Sequence, residues 1–357
     1  MSMQLFRYEP LPSRVVFGTG TIDLLGEEAA RLGGQKILVL STPQQTELGH
    51  SICARLGSKA AGIFSNAAMH TPVDVTDAAI ALVTSKSIDC VIAAGGGSTT
   101  GLGKAIALRT GLPVIAVPTT YAGSEVTPIL GETRHGTKTT LRDMRVLPKV
   151  VIYDVDLTLD LPVPLSIASG VNAIAHAVEA LYAEDRNPII SLMAEEGART
   201  LMAALPRIAK APRDEKGRAD ALCGAWLCGV CLGQTTMGLH HKLCHTLGGA
   251  FNLPHAEMHT VMLPHTLAYN APFAPEAVGR LARAFGGTNP ATMIYDLVRS
   301  LNGPFSLNDL WMPRTGIDPA IEMALAKPYP NPRPLEKSAI ADLLHRAWAG
   351  ERPRTDK

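Results

Sequence analysis

Charge is scarce in this chain and evenly divided. Of 357 residues only 18% are charged, with 33 basic against 32 acidic side chains, a formal net charge of +1. Nucleic-acid and anionic-membrane binders carry a basic excess, so neither partner is expected. Apolar runs approaching the ~18 residues of a membrane span are also missing. The most apolar stretch, Ala221 to Gly233, is broken by glycines and reads as a buried helix. The N-terminal MSMQLFRYEP has neither the basic nor the apolar region of a secretory signal, and a cytoplasmic protein is expected. Cysteine is too sparse for a disulfide framework: there are six, Cys53, Cys90, Cys223, Cys228, Cys231 and Cys244. Cys223, Cys228 and Cys231 do share the spacing of plant-type iron–sulfur ligands. They lie in an Ala/Leu/Gly/Trp-rich helical stretch, however, and read as small buried hydrophobes.

Hydrophobic residues are plentiful, at 46%, and the length suits two domains of ordinary size. Short apolar runs at Arg14–Phe17, Lys36–Leu40, Ala61–Phe64, Cys90–Ala93, Val114–Val117 and Val150–Tyr153 read as strands. Helical patterns such as Val73–Ser85 and Leu102–Arg109 separate them, and this alternation predicts a mostly parallel sheet with helices on both faces. From Ser166 onward helical patterns dominate: Ile167–Ala183, Pro188–Leu205, Ala219–Leu247, Ala277–Arg283, Pro290–Leu301 and Leu335–Trp348. KPYPNPRP, from Lys327 to Pro334, reads as a loop. The expected organisation is a Rossmann-like α/β nucleotide-binding domain over 1–160 and an all-α domain over 161–357.

Two features carry chemistry. Gly95-Gly96-Gly97-Ser98 runs from a strand into a helix, where glycines admit a phosphate and the helix N-terminus presents its N–H groups. Thr119 and Thr120 follow the next strand at the same sheet edge, which is where α/β proteins bind cofactors. The second feature is histidine. Six of 11 (His240, His241, His245, His255, His259, His265) fall between residues 240 and 265. Asn172 and His176, and then His241 and His245, are four apart on helices and share a face. Gly248-Gly249 is read as the end of the second helix, with Pro254-His255 in a following turn. Two helical pairs plus a loop histidine could form an internal metal site. His240, His259 and His265 have no spacing partner and read as core or surface residues.

Over nearly its whole length the chain resembles the iron-containing alcohol dehydrogenase superfamily, which has a dehydroquinate synthase-like fold, and within it the maleylacetate reductase branch. The resemblance rests on GGGSTTGLGKAIA (Gly95–Ala107), PTTYAGSEVT (Pro118–Thr127), KTTLRDMRVLPKVVIYD (Lys138–Asp154), SGVNAIAHAVEALYA (Ser169–Ala183) and HKLCHTLGGAFNLPHAEMH (His241–His259). It implies nicotinamide-dependent hydride transfer, with NADH or NADPH as cofactor, and a homodimer. By resemblance Gly96, Gly97 and Ser98 hold the pyrophosphate, and Thr119, Thr120 and Lys138 line the ribose and nicotinamide side. His176, His241 and His255 match metal-ligand positions of the metal-dependent members, and His245 lies near the nicotinamide.

Two departures qualify this. Metal-dependent members carry Asp where this chain has Asn172, and an amide is a weak neutral ligand for a divalent cation. A metal-free pocket for a small dicarboxylate is therefore expected, reducing a C=C bond conjugated to a ketone. The alternative is a metal-dependent alcohol or polyol dehydrogenase. His241 and His255 are expected to bind the substrate, Asn172 and His176 to orient them, and His245 to deliver the proton. Tyr121 and Lys242 are weaker substrate-contact candidates. The second departure is Gly101, where many relatives have Asp. No acidic residue follows Ile37–Leu40 in Ser41-Thr42-Pro43, so a 2′-phosphate would not be repelled.

Overall fold

The structure, a computed structural model, describes residues 6–134 and 137–354, with the side chains of residues 137 and 138 outside the described set. It divides into two compact units, Leu11–Leu161 and, with the first ten residues, Pro162–Lys357. The sequence boundary at 160 differs by one residue. Residues 6–10, expected in the α/β unit, belong instead with the helices, where Gln234 Nε2 donates to the Glu9 carbonyl at 2.9 Å.

In the first unit six strands form one parallel sheet: β1 (Arg14–Gly18), β2 (Ile37–Leu40), β3 (Ala60–Phe64), β4 (Cys90–Gly95), β5 (Val114–Pro118) and β8 (Val150–Asp154). Their spatial order is β1-β8-β5-β4-β2-β3. The central strands are apolar at every position because both faces are covered. Ile37, Val39, Ile92, Ala94, Ile115 and Val117 pack with Leu25, Ala29 and Ile52 on one face. Leu38, Leu40, Val91, Ala93 and Val114 meet Ala79, Val83, Leu102 and Ile106 on the other. An antiparallel hairpin, β6 (Ile129–Arg134) with β7 (Thr137–Arg142), completes the unit and was absent from the strand expectations. Its strands mix polar and small residues and give no apolar run to read.

The order of the strands places a switch point. From β2 the chain crosses to β3 on one side, and from β4 it crosses to β5 on the other. Adjacent strands whose connections diverge leave a crevice beyond their carboxyl ends. Ser41–Gln45 and Gly95–Ser98 stand at those two ends.

The second unit is helical throughout. Helices Pro188–Lys210 and Glu215–Gln234 approach closely through Gly197 and Gly224, where an added methyl carbon at Gly224 would lie 3.0 Å from the Gly197 carbonyl. Cys228 and Cys231 are buried free thiols in this contact region, and burial pushes the Cys228 thiol well above its ordinary range. The single helix expected over Ala219–Leu247 is two, Glu215–Gln234 and Leu239–Phe251, bent by 95° across Thr235–Gly238. Asp185 holds that bend, accepting from Thr236 N at 3.0 Å and Thr236 Oγ1 at 2.7 Å. Gly248-Gly249 does not end the second helix. It continues to Phe251 and stops at Asn252, which takes the left-handed conformation (φ 52°). No single helix among the described residues is long and apolar enough to cross a membrane.

Candidate active site

The glycine turn is shaped by what its neighbours leave no room for. Gly95 has φ +143°, a conformation that favours glycine, and a methyl carbon there would lie 2.6 Å from Gln45 Oε1. Gln45 Nε2 in turn donates to Thr119 Oγ1 at 2.9 Å, and Thr119 N donates to the Gly95 carbonyl at 3.1 Å. Thr120 backs Gly96, whose added methyl carbon would meet it at 3.1 Å. The loops after β2, β4 and β5 are thus tied together at the switch point. Helix Gly97–Thr110, which begins five residues before the expected Leu102, has no side-chain cap at its N-terminus. A methyl carbon at Gly97 would enter open space. Uncapped N–H groups facing an open, side-chain-free surface fit a pyrophosphate. The side chain of Lys138 lies outside the described residues, and Tyr121 is fully buried.

Gly101 is explained by its surroundings. A methyl carbon there would run into Thr71 Oγ1, and Thr71 is held at φ 48°. The threonine hydroxyl fills the space a side chain at 101 would need. Behind the turn, buried Lys104 donates to the carbonyls of Ser124 (2.5 Å) and Ile129 (2.8 Å) and to Thr127 Oγ1 (2.9 Å). Burial lowers its pKa to about 7, and the same burial raises that of Glu125, which accepts from Tyr153 OH at 2.7 Å.

In the helical unit, three helices each present a pair of polar residues four apart. Asn172 and His176 lie on Val163–Tyr182, His241 and His245 on Leu239–Phe251, and His255 and His259 on His255–Asn270. His255, expected in a loop, is the first residue of its helix after the Pro254 N-cap. That misplacement hid its pairing with His259. The rings of His255 and His259 are 4.3 Å apart, and His241 and His259 are 5.2 Å apart.

The site has a buried floor and a half-exposed rim. On the floor, Asn172 Nδ2 approaches His176 Nε2 at 3.5 Å, and His176 Nδ1 meets His241 Nε2 at 3.2 Å. His241 Nδ1 lies 2.6 Å from the carboxylate of Glu179. Asn172 Oδ1 is buried and lacks a hydrogen-bond partner. Below, His240 Nδ1 lies 3.1 Å from Thr266 Oγ1, a hydroxyl also within reach of the Met262 carbonyl. His240 Nε2 lies 3.0 Å from His259 Nδ1. Cys244 Sγ is 3.8 Å from the same nitrogen. Burial, then the neighbouring imidazoles, hold both His240 and His259 neutral, well below the ordinary histidine range. His265 is buried elsewhere on the helix, with its Nε2 unpartnered.

The rim holds His245, His255, Lys242 and Tyr329, all partly exposed. His245 Nδ1 is 3.2 Å from Tyr329 OH, and Lys242 Nζ stands 5.6 Å from the same ring. Burial and the Glu179 charge raise the Tyr329 pKa, while burial and Lys327 lower that of Lys242. Tyr329 and Glu179 were both missed in the sequence. Tyr329 sits in the proline-rich loop, which is pinned by paired amides of Asn270 and Asn331 (2.9 and 2.7 Å) and by Tyr269 OH on the Pro334 carbonyl (2.6 Å). A tyrosine between two prolines was the available signal. For Glu179 it was the spacing 172, 176, 179, which continues one helix face.

Residues 12–155 match the iron-containing alcohol dehydrogenase family and residues 166–348 match the C-terminal domain of the Fe-containing alcohol dehydrogenase family. The chain belongs to the iron-containing alcohol dehydrogenase family. Among its relatives, it is 55% identical to the maleylacetate reductase of Sphingobium indicum, over 98% of this chain and 99% of that one. The crystal structure of maleylacetate reductase from Rhizobium sp. strain MTP-10005 superposes with a TM-score of 0.94 at 56% identity, covering 98% of this chain and 100% of that one. A 1,3-propanediol oxidoreductase structure matches at 26% identity with a TM-score of 0.90, over 97% and 100%.

Proposed function

We propose that this chain is an NAD(P)H-dependent reductase of maleylacetate, forming 3-oxoadipate without a catalytic metal. The observation that carries the chemistry is the buried run Asn172–His176–His241, which has an amide rather than a carboxylate at its head. The full-length likeness to maleylacetate reductases supports the substrate.

The donor set fits a hard divalent ion poorly. Asn172 offers a neutral oxygen, and the Glu179 carboxylate is turned to His241 Nδ1 and to backbone amides. Among the described residues, the Asn172–His176–His241 set turns no anionic ligand toward a 2+ charge, so no step is assigned to a metal. The nicotinamide cofactor is proposed at the switch-point crevice of the first unit, its pyrophosphate on Gly96, Gly97 and Ser98 and its ribose and nicotinamide side along Thr119, Thr120 and Lys138. When bound it supplies the hydride, which adds to the alkene carbon β to the ketone.

The electron pair of the C=C bond then moves toward the ketone oxygen as an enolate, which protonation at the α-carbon converts to the saturated ketone. A delocalised enolate needs hydrogen-bond donors more than a Lewis acid. His241 and His255 are proposed to hold the carbonyl and a carboxylate, with Asn172 and His176 orienting them. His245, with Tyr329 OH against its Nδ1, is proposed to deliver the proton, since imidazole exchanges protons near neutral pH. Lys242 at the rim adds positive charge for the dianion. Ser41-Thr42-Pro43 at the end of β2 carries no acid to grip a ribose 2′-hydroxyl, so both NADH and NADPH are accepted, within about a thousandfold. A cytoplasmic homodimer completes this reading, with sedimentation of the purified chain as its test.

The test of function is NADH oxidation with maleylacetate set against simple aldehydes and diols, before and after chelator treatment. Turnover confined to maleylacetate and indifferent to chelator is the expected result. Activity lost to chelator and restored by Fe²⁺ or Zn²⁺ would establish the metal-dependent alcohol or polyol dehydrogenase instead.

A further inference from the structure

The geometry points to Glu179 as the positioning residue of the histidine site, fixing the ring nitrogen that His241 turns toward His176 and balancing the positive charge gathered there. This rests on the reductase reading above. The side chain is 3% exposed and accepts from Gly238, His240 and His241. Its Oε2 accepts from Gly238 N at 2.7 Å and from His241 Nδ1 at 2.6 Å, and its Oε1 accepts from His240 N at 2.7 Å. Gly238 is the N-cap of helix Leu239–Phe251 and has no side chain to serve the orphan amides there. Glu179 takes that duty from the neighbouring helix, and a negative charge suits a helix N-terminus.

One carboxylate therefore does two things at the 95° bend. It closes the start of the helix that carries His241 and His245, and it fixes the His241 tautomer. With both oxygens accepting, Nδ1 of His241 must carry the hydrogen, so Nε2 presents a lone pair. That lone pair accepts from His176 Nδ1–H, which leaves His176 Nε2 to accept from the Asn172 amide. Donors along the run all point toward Glu179. The Asn172 amide nitrogen can only donate and closes the run, and a proton gained by His241 places an imidazolium against the Glu179 carboxylate. The ionisable groups packed about this pair are Tyr182 on its own helix, Tyr329 from the proline-rich loop, and His176, His240, His245 and His259. All of these are neutral or cationic when protonated, so Glu179 is the counter-charge among them. Its charge is felt at both tyrosines, which it helps to keep protonated after burial, the larger cause, has raised them.

Glu179→Gln removes the charge and cannot satisfy three donors, because its amide NH₂ must face either His240 N or the Gly238 N and His241 Nδ1 pair. Expected for this variant are a fall in kcat with maleylacetate of about a hundredfold, an unchanged KM for NADH, and an alkaline limb of the kcat–pH profile displaced to lower pH. Asp185→Asn is the control, since Asp185 braces the same bend through Thr236 rather than through a histidine. It should leave the pH profile in place. Histidine ¹⁵N NMR of the unliganded wild type, with His241→Ala for assignment, should show His241 as the Nδ1–H tautomer. A wild-type profile and kcat in Glu179→Gln, an equal displacement in Asp185→Asn, or an Nε2–H tautomer for His241 would each overturn the proposal. If the wild type does not reduce maleylacetate, the reductase reading falls, and the tautomer measurement still decides the role of Glu179.

Discussion

The turn at Gly95–Ser98 offers a ligand backbone N–H groups on a surface cleared of side chains, whereas the helical unit offers imidazoles, an amide and a phenol. In the first place chemistry is made by leaving atoms out: Gly97 opens onto free space and Gly96 lets Thr120 close in. In the second it is made by crowding polar groups into a dry floor where each must find a partner. Each unit also buries a carboxylate, with different consequences. Glu125 in the first is raised by burial and serves, with Tyr153 and Lys104, to brace the loop beside the turn. Glu179 in the second accepts from three donors and faces the reactive rings. Burial alone does not mark a functional carboxylate; what it touches does.

This contrast can be broken by substitution. The largest effect is expected at His241→Ala, which removes the centre of the buried run. Steady-state kinetics should show kcat reduced by about a thousandfold, with NADH affinity, read by fluorescence titration, unaltered. Were kcat to survive, the side-chain site would be elsewhere. Next, Gly97→Ala and Gly95→Ala separate space for ligand from space for protein. Gly97→Ala should weaken NADH binding by about ten- to a hundredfold, roughly 1.4–2.8 kcal/mol, while leaving Tm in place, because its methyl group meets no protein atom. Gly95→Ala should lose both, since its methyl group runs into Gln45 and Thr99. Equal Tm losses in the two would show that the turn is merely structural.

Lys104→Met tests the brace. Three oxygens lose a charged donor, with the Ser124 carbonyl keeping others, from Thr127 N and Oγ1. Chemical denaturation should show destabilisation of about 3 kcal/mol, with a smaller loss of NADH affinity than in Gly97→Ala. The smallest effect is expected at His265→Leu. Burial, then Arg346, lowers the pKa of His265 to about 4 from 6.5. As pH falls from 6.5 toward 4 the unfolded chain takes up the proton first, so the folded state loses stability across that window. Leucine removes the unpartnered Nε2 and should add about 1 kcal/mol near neutrality. It should also flatten the decline between about pH 6.5 and about pH 4 in urea titrations. A variant as acid-sensitive as wild type would show His265 to be partnered in solution.

Much of the α/β unit was legible because its strands obey a simple rule. A strand covered on both faces must be apolar at every position, and β2, β4 and β5 are, while β8 is apolar up to Tyr153 and Asp154. The glycine turn was legible for a similar reason, since few residues other than glycine fit it. The β6–β7 hairpin and the break at Thr235–Gly238 were not, because neither is announced by composition. The break matters most. Read as one helix from Ala219 to Leu247, the segment leaves His240 and Gly238 without a task, whereas the bend turns Gly238 N and His240 N toward Glu179. His255 failed in the same way: placed in a loop, it cannot be seen to pair with His259.

Residue types and spacing thus determined by themselves the two-part architecture, the glycine turn at a helix N-terminus, and a histidine-rich site with Asn172 where a carboxylate would favour metal. Those are properties of periodicity and residue chemistry, which the chain carries locally. Tertiary structure alone decided what each ring nitrogen meets, because the partners lie tens of residues away: Glu179 on His241, Thr266 on His240, Tyr329 beside His245. A histidine in a sequence is a donor, an acceptor or a ligand in prospect, and only its packed neighbours select among these.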